Sequence, residues 1–188
     1  MSFLYKEIDG CKLPFIFSEE RLNKIKNTFV TKKEDVIICS NFRSGSTLLQ
    51  YILNMLINNT KITDMNLEWL ECGSNFDNHI YKSHYSFDKL PIKEINPETR
   101  IIYIQRDPKD VCVSMFEYYK SCKWINFKGD FNTFFNLFMY GKLMYDRWDK
   151  HIQSFKNADH NILFITYEDL INNKKQTILD IIKYLELI

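Results

Sequence analysis

The sequence predicts an α/β fold, a central parallel sheet flanked by helices in three layers. Three observations predict it. Short apolar runs rich in β-branched residues recur at 35–40, 100–105 and 161–166, as buried strands do. A stretch of helical character follows each run. The first run joins its helix through the turn Asn41-Phe42-Arg43-Ser44-Gly45-Ser46, and strand, glycine turn and buried helix open an α/β nucleotide-binding unit. Helices between buried strands imply parallel pairing with both faces covered. Such sheets bind ligands at the carboxyl ends of their strands.

Each element can be justified in order. Residues 1–34 read as a polar N-terminal segment, with a short helix over 18–30 that Ser18 caps. The domain proper runs over 35–188. After the first strand, residues 47–56 are apolar nearly all round, as a helix against a sheet should be. Tyr81-Lys82-Ser83-His84-Tyr85 is a short extended segment. After the strand at 100–105, Asp107 can cap a helix and Pro108 suits its first position. Val111, Met115 and Tyr118 then share a helical face. Residues 131–156 read as aromatic and helical. After the strand at 161–166 comes Tyr167-Glu168-Asp169-Leu170, then a helix over 174–187 with apolar Ile178, Ile181, Ile182 and Leu185.

Composition narrows the function. The 188 residues carry 25 Lys+Arg against 24 Asp+Glu, a net charge of +1. That length fits one domain with a substantial core. The charge balance argues against a polybasic nucleic-acid binder, and no basic stripe with stacking aromatics stands out. No apolar run approaches the roughly 18 residues that span a bilayer, and the start MSFLYKEIDG has no apolar signal core. Cys11, Cys39, Cys72, Cys112 and Cys122 are odd in number and lack C-x-x-C spacing. With four scattered histidines they suggest no zinc site, and the expectation is reduced thiols in a cytoplasmic protein.

Three segments carry chemistry. In the first, Gly45 allows close backbone approach where a helix begins, and free N–H groups at a helix start attract phosphate or sulfate. Ser44, Ser46 and Thr47 add hydroxyls, and Arg43 adds a forked cation. The loop lacks the G-x-x-x-x-G-K-[ST] pattern, and taken alone it is equally an ordinary Ser/Gly turn. In the second, Arg106 ends a strand and Ser114 lies about two helical turns further on. An Arg and a Ser there can hold another phosphate, although Arg106 can also pair with Asp107 or Asp110. In the third, Lys82 and His84 are two apart and share a strand face, which supplies a general base beside a cation. A lone histidine is more often structural.

Together these segments resemble the cytosolic sulfotransferase family. Its Pro-Lys-Ser-Gly-Thr-Thr-Trp loop corresponds to Phe42-Arg43-Ser44-Gly45-Ser46-Thr47-Leu48. Its Lys-Thr-His segment corresponds to Lys82-Ser83-His84, with Leu90-Pro91 following. Its Arg-(Asn/Asp)-Pro-Lys-Asp-x-x-x-Ser pattern corresponds to Arg106 through Ser114. Its Tyr-Glu-Asp-Leu/Met segment corresponds to Tyr167-Glu168-Asp169-Leu170. The resemblance runs from about Asp35 to the last helix, with order and spacing kept.

The resemblance implies a P-loop-like three-layer fold. It implies transfer of a sulfuryl group from 3′-phosphoadenosine-5′-phosphosulfate (PAPS) to a hydroxyl or amine of a small, hydrophobic acceptor, without a metal. His84 would be the general base, with Arg43 and Lys82 as catalytic cations. The donor would be held by Arg43, Ser44, Gly45, Ser46, Thr47 and Leu48, by Arg106 and Ser114 at its 3′-phosphate, and by Tyr167 at adenine. Arg43 replaces the usual Lys and Leu48 the usual Trp. Phe42, Trp69, Phe76, Tyr85 and Phe87 are candidates for the acceptor pocket, and most other aromatics are expected in the core. The family continues past the point matching Ile188, through an Arg-Lys-Gly loop and a dimerisation segment, so the domain is expected to be C-terminally incomplete and its oligomeric state is left open. No nucleic-acid or membrane partner is expected. Two other readings stay open: a truncated sulfotransferase-like protein that binds the nucleotide with weak or no turnover, and a P-loop small-molecule kinase. The kinase needs a loop Lys and a magnesium carboxylate, whereas the strand at 101–105 ends in Arg106.

Overall fold

The computed structural model describes residues 5–61, 67–72 and 79–187. The chain opens with a hairpin of β1 (Lys6–Ile8) and β2 (Cys11–Leu13). These strands are too short to show periodicity, and sequence reasoning missed them. Helix α1 (Glu19–Thr28) follows, with the Ser18 side chain accepting from the Arg21 N–H as expected of a cap. Then come β3 (Val36–Cys39), α2 (Ser46–Ile57), β4 (Glu68–Trp69), β5 (Ile80–Ser83), β6 (Arg100–Gln105) and α3 (Pro108–Ser121). The chain continues through α4 (Phe131–Met139), α5 (Trp148–Lys156), β7 (Ile162–Thr166), α6 (Tyr167–Asn172) and α7 (Lys174–Tyr184).

Strands β3 to β7 form one sheet in the order β4-β5-β3-β6-β7, all parallel. Alternation along its central strands divides the interior. Ile37 and Cys39 of β3, with Ile101 and Tyr103 of β6, face one core that holds Leu22 and Ile25 of α1, Met115 of α3, Phe134 of α4 and Phe155 of α5. Val36 and Ile38, with Ile102 and Ile104, face a second core that holds Leu49 and Leu53 of α2, Leu170 of α6 and Ile181 of α7. The sheet is therefore covered on both faces, the three-layer α/β architecture expected. Each fully buried aliphatic side chain stabilises such a core by roughly 1.5–3 kcal/mol.

Two elements differ from the sequence reading. The stretch 131–156 is not one helix. It breaks between α4 and α5, where Gly141 and Tyr145 both take left-handed backbone, with φ of 62°. The apolar pattern runs on through the break, which is why it read as continuous. Within the Phe131 to Tyr140 cluster only Phe134 is fully buried, and Phe131, Phe135 and Tyr140 are exposed. The strand at 161–166 is present, but it is an edge strand with Phe164 exposed. Among the described residues no helix is long and apolar enough to cross a membrane.

The strand order positions the site. From β3 the chain steps to β5 on one side and β6 on the other, so the crevice at their carboxyl ends is the switch point where such sheets bind ligands. Cys39 of β3 is level with Ser83 of β5 and with Tyr103 of β6, and Gln105 of β6 is level with Thr166 of β7. One residue further on, this register sets Ser40 beside His84 and Arg106 beside Tyr167.

Candidate active site

The loop after β3 turns sharply into α2. Arg43 and Gly45 both lie in the left-handed region, at φ 70° and 101°. Gly45 is the N-cap and supplies no side chain to cap the helix, and the first turn of α2 holds no acidic residue. Ser18, Asp107, Asp130 and Thr166 cap α1, α3, α4 and α6 with side-chain oxygens, while α5 and α7, like α2, have no side-chain cap. The first N–H groups of α2 are left to an anion. Gly45 has a second reason to be glycine. A Cβ there would lie 2.5 Å from the Tyr167 ring, so the loop can sit on that ring only without a side chain.

Three of the sequence motifs meet around this turn. Arg43 donates from Nε to Ser114 Oγ at 3.1 Å, and its guanidinium lies 5.1 Å from the Tyr118 ring centroid. Arg106 donates to the Arg43 carbonyl at 3.4 Å and rests over the Tyr167 ring at 4.4 Å. Its carboxylate neighbour Asp110 is 3.9 Å away and largely exposed, a pairing worth little in water. Arg106 Nε and Ser44 Oγ are buried without a hydrogen-bond partner among the described residues. Unmatched buried donors are costly, and an anionic ligand at the loop is the kind of group that satisfies them.

The fourth segment closes the far wall. Strand β5 stops at Ser83, so strand alternation alone does not set His84. Instead Lys82 and His84 gather around Trp69, with Lys82 Nζ 4.5 Å from the indole and the His84 ring centroid 5.3 Å from it. Lys82 also donates to Thr47 Oγ1 at 2.9 Å, which ties it to the first turn of α2. Burial pushes its pKa down to about 8, against the pull of nearby Glu71. The His84 ring packs edge-on against Phe42 and Tyr145. Its Nδ1 is 2.9 Å from the Ser40 carbonyl. A carbonyl only accepts, so Nδ1 carries the proton and Nε2 keeps its lone pair. Burial drives the His84 pKa down to about 3. The bond to Ser40 opposes this, and the positive charges of Lys82 and Arg43 add to it.

A cleft of about 310 Å³ unites these groups. Nine of the eleven candidate residues line it: Arg43, Gly45, Ser46, Thr47, Leu48, His84, Arg106, Ser114 and Tyr167. Ser44 and Lys82 are buried just beside it. Of the acceptor candidates, Phe42 and Trp69 reach the cleft, while Tyr85 is buried away from it and Phe87 packs on Phe155. Phe76 lies outside the described residues. Sequence reasoning missed Tyr118 as a cleft residue, and it missed two groups behind His84, Glu71 and His151. Tyr118 is one helical turn past Ser114, a spacing that places both on one face. Among the described residues no cluster of His, Cys, Asp or Glu gathers to hold a metal ion, and all five cysteines are free.

Two outcomes follow from this geometry. Gly45→Ala should destabilise the protein by about 1–3 kcal/mol, from backbone strain and the clash with Tyr167, read as a lower urea midpoint. His84 is held neutral, so below pH 6.5 the unfolded chain takes up a proton that the native state refuses until about pH 3. Native stability should therefore fall as pH drops from 6.5 towards 5. In His84→Gln the slope of unfolding free energy against pH should be shallower there by up to one proton, about 1.4 kcal/mol per pH unit. An unchanged slope would contradict a neutral buried His84.

Comparison with known proteins agrees with this architecture. The family model described as a sulfotransferase domain matches residues 33–188. Human Sulfotransferase 4A1 is 32% identical over 183 residues, covering 88% of this chain. Human Sulfotransferase 2A1 is 27% identical over 195 residues, covering 94% of this chain and 68% of its own length. The crystal structure of mouse sulfotransferase SULT7A1 complexed with PAP superposes with a TM-score of 0.77 at 25% identity, covering 97% of this chain and 68% of that one. The chain spans 64% of the length of Sulfotransferase 4A1. Matched over residues 33–188, with the fold and the motif loops in place, the chain belongs to the sulfotransferase family.

Proposed function

We propose that this chain binds PAPS in the cleft and transfers its sulfuryl group to the hydroxyl or amine of a small, hydrophobic acceptor in the cytoplasm, without a metal. The observation that carries the reading is the convergence of nine motif residues from four strand ends on one cleft beside an uncapped helix start. The likeness to a sulfotransferase complexed with PAP supports it.

The residues divide the work by position. The free N–H groups of α2, with Ser44, Ser46 and Thr47, receive the 5′-phosphosulfate. Arg106 and Ser114 hold the 3′-phosphate. Arg106 trades weak contacts, a long hydrogen bond to the Arg43 carbonyl, a 3.9 Å pairing with exposed Asp110 and a cation–π contact with Tyr167, for a stronger charge-assisted pair. Tyr167 and Leu48 line the adenine side. Arg43 Nε donates to Ser114 Oγ, so its role at the sulfuryl group requires the side chain to turn.

His84 Nε2 is the one ring nitrogen free to accept a proton. The acceptor oxygen forms a bond to sulfur and passes its proton to Nε2. The bond from sulfur to the bridging oxygen breaks, and its electron pair stays on the 5′-phosphate. Lys82 and Arg43 stabilise the charge that builds there. Burial holds His84 at low basicity, and these cations add to it. Anionic donor bound against them offsets their charge and raises His84 towards a useful base. Phe42 and Trp69 give the acceptor side an apolar wall.

The test is a thermal-shift titration with adenosine 3′,5′-bisphosphate. At 100 times its dissociation constant the ligand should stabilise the fold by about 2.7 kcal/mol. Arg106→Ala should remove most of that shift, and chelator should leave it unchanged. A cooperative melt that the ligand does not move would overturn the reading. A shift that requires magnesium would favour a kinase.

A further inference from the structure

We propose that Glu71 and His151 are positioning residues that clamp the main chain of His84 from both sides and fix the place of its Nε2. The inference rests on the role of His84 proposed above, and the clamp itself rests on geometry. Glu71 lies in a short 3-10 turn at Leu70–Cys72, directly after β4. Its Oε1 accepts from the His84 N–H at 2.8 Å and from Ser83 Oγ at 2.7 Å. His151, on α5, has its Nε2 3.0 Å from the His84 carbonyl. That carbonyl only accepts, so His151 carries its proton on Nε2, and its Nδ1 accepts from the Tyr103 hydroxyl at 2.9 Å. The two peptide groups flanking the His84 Cα are thus held from opposite elements, and the ring is held by Ser40. Nε2 is the atom left over.

The residue types make the case against simple packing. Glu71 and His151 are both fully buried. A carboxylate and an imidazole cost more to bury than a Leu or Phe of similar size. Both are spent on the same residue: Glu71 meets its N–H through Oε1 alone, Oε2 having no hydrogen-bond partner among the described residues, and His151 meets its carbonyl, and hydrogen bonds held at both main-chain groups specify one arrangement. The opposite tautomers are a direct consequence: His84 is protonated on Nδ1 and His151 on Nε2.

The experiment reads imidazole nitrogens by 15N–1H correlation in the full chain labelled with 15N-histidine. The wild type should show one buried Nδ1–H histidine and one buried Nε2–H histidine, the latter lost in His151→Phe. In His151→Phe and in Glu71→Met the His84 signal should become a mixture of tautomers. His151→Gln and Glu71→Gln retain the donor and the acceptor, and should restore most of the single form. A pure Nδ1–H signal for His84 in folded His151→Phe or Glu71→Met would overturn the clamp. Should those variants fail to fold, Tyr103→Phe keeps the His151 ring but removes the donor to its Nδ1, so His151 should itself become a mixture of tautomers and His84 should follow it; a pure Nδ1–H His84 beside a mixed His151 would overturn the clamp, and a His151 that stays wholly Nε2–H would overturn the part given to Tyr103. With a phenol that the wild type sulfates, His151→Phe should lower kcat at least tenfold with KM for the donor within twofold. A matching loss confined to KM would overturn the positioning role. Absence of wild-type turnover would count against the sulfotransferase reading alone, and the tautomer pattern would still decide the clamp.

Discussion

The cleft depends on how closely the loop after β3 approaches the start of α6. Gly45 lies on the Tyr167 ring with no room for a Cβ. That contact lets the loop and the β7 end share one wall. Arg106 can then bridge both, through the Arg43 carbonyl and over the Tyr167 ring. The approach is possible because the sheet register brings β6 and β7 level at their carboxyl ends. Backbone freedom at one residue therefore links three motifs that are far apart in the chain.

Electrostatics build on this frame. Arg43, Arg106 and Lys82 converge without a carboxylate in tight contact among the described residues. Arg106 has only the distant Asp110, and the buried Glu71 spends its bonds on Ser83 and the His84 amide. Lys82 feels the strain of that burial as a lowered pKa, and His84 feels it with the added repulsion of two cations. A site of this kind is prepared for negative charge, and binding it relieves the mismatch. The start of α2 has no side-chain cap, as those of α5 and α7 have none, but of these three only α2 begins against the arginines of the cleft.

Much of this was legible in the sequence, for physical reasons. Strands β3 and β6 are continuous β-branched runs buried on both faces, and such runs announce themselves. The motif residues were legible because most of them sit in short segments directly after strand ends, with a few residue types in fixed order. Strands of two or three residues, β1, β2 and β4, left no pattern to read. The break between α4 and α5 carried one local signal that the sequence reading passed over, Gly141 directly after the C-cap of α4, while left-handed Tyr145 carries none. Trp69 was flagged only by its nearness to the motifs in sequence, and its contact with both Lys82 and His84 depends on pairing with β5. Glu71 and His151 were invisible because they act through the main chain of His84, and neither has a spacing that ties it to the motif.

The central claim is that these residues, brought together in this chain, move a sulfuryl group. The most direct measurement is transfer of labelled sulfate from PAPS to a panel of phenols and alcohols, with chelator present, by the wild type and by His84→Ala. The account predicts transfer by the wild type and a loss of roughly 10²–10⁴-fold in His84→Ala, the usual contribution of a general base. Transfer that survives His84→Ala at the wild-type rate, or donor binding with no transfer to any acceptor, would contradict it.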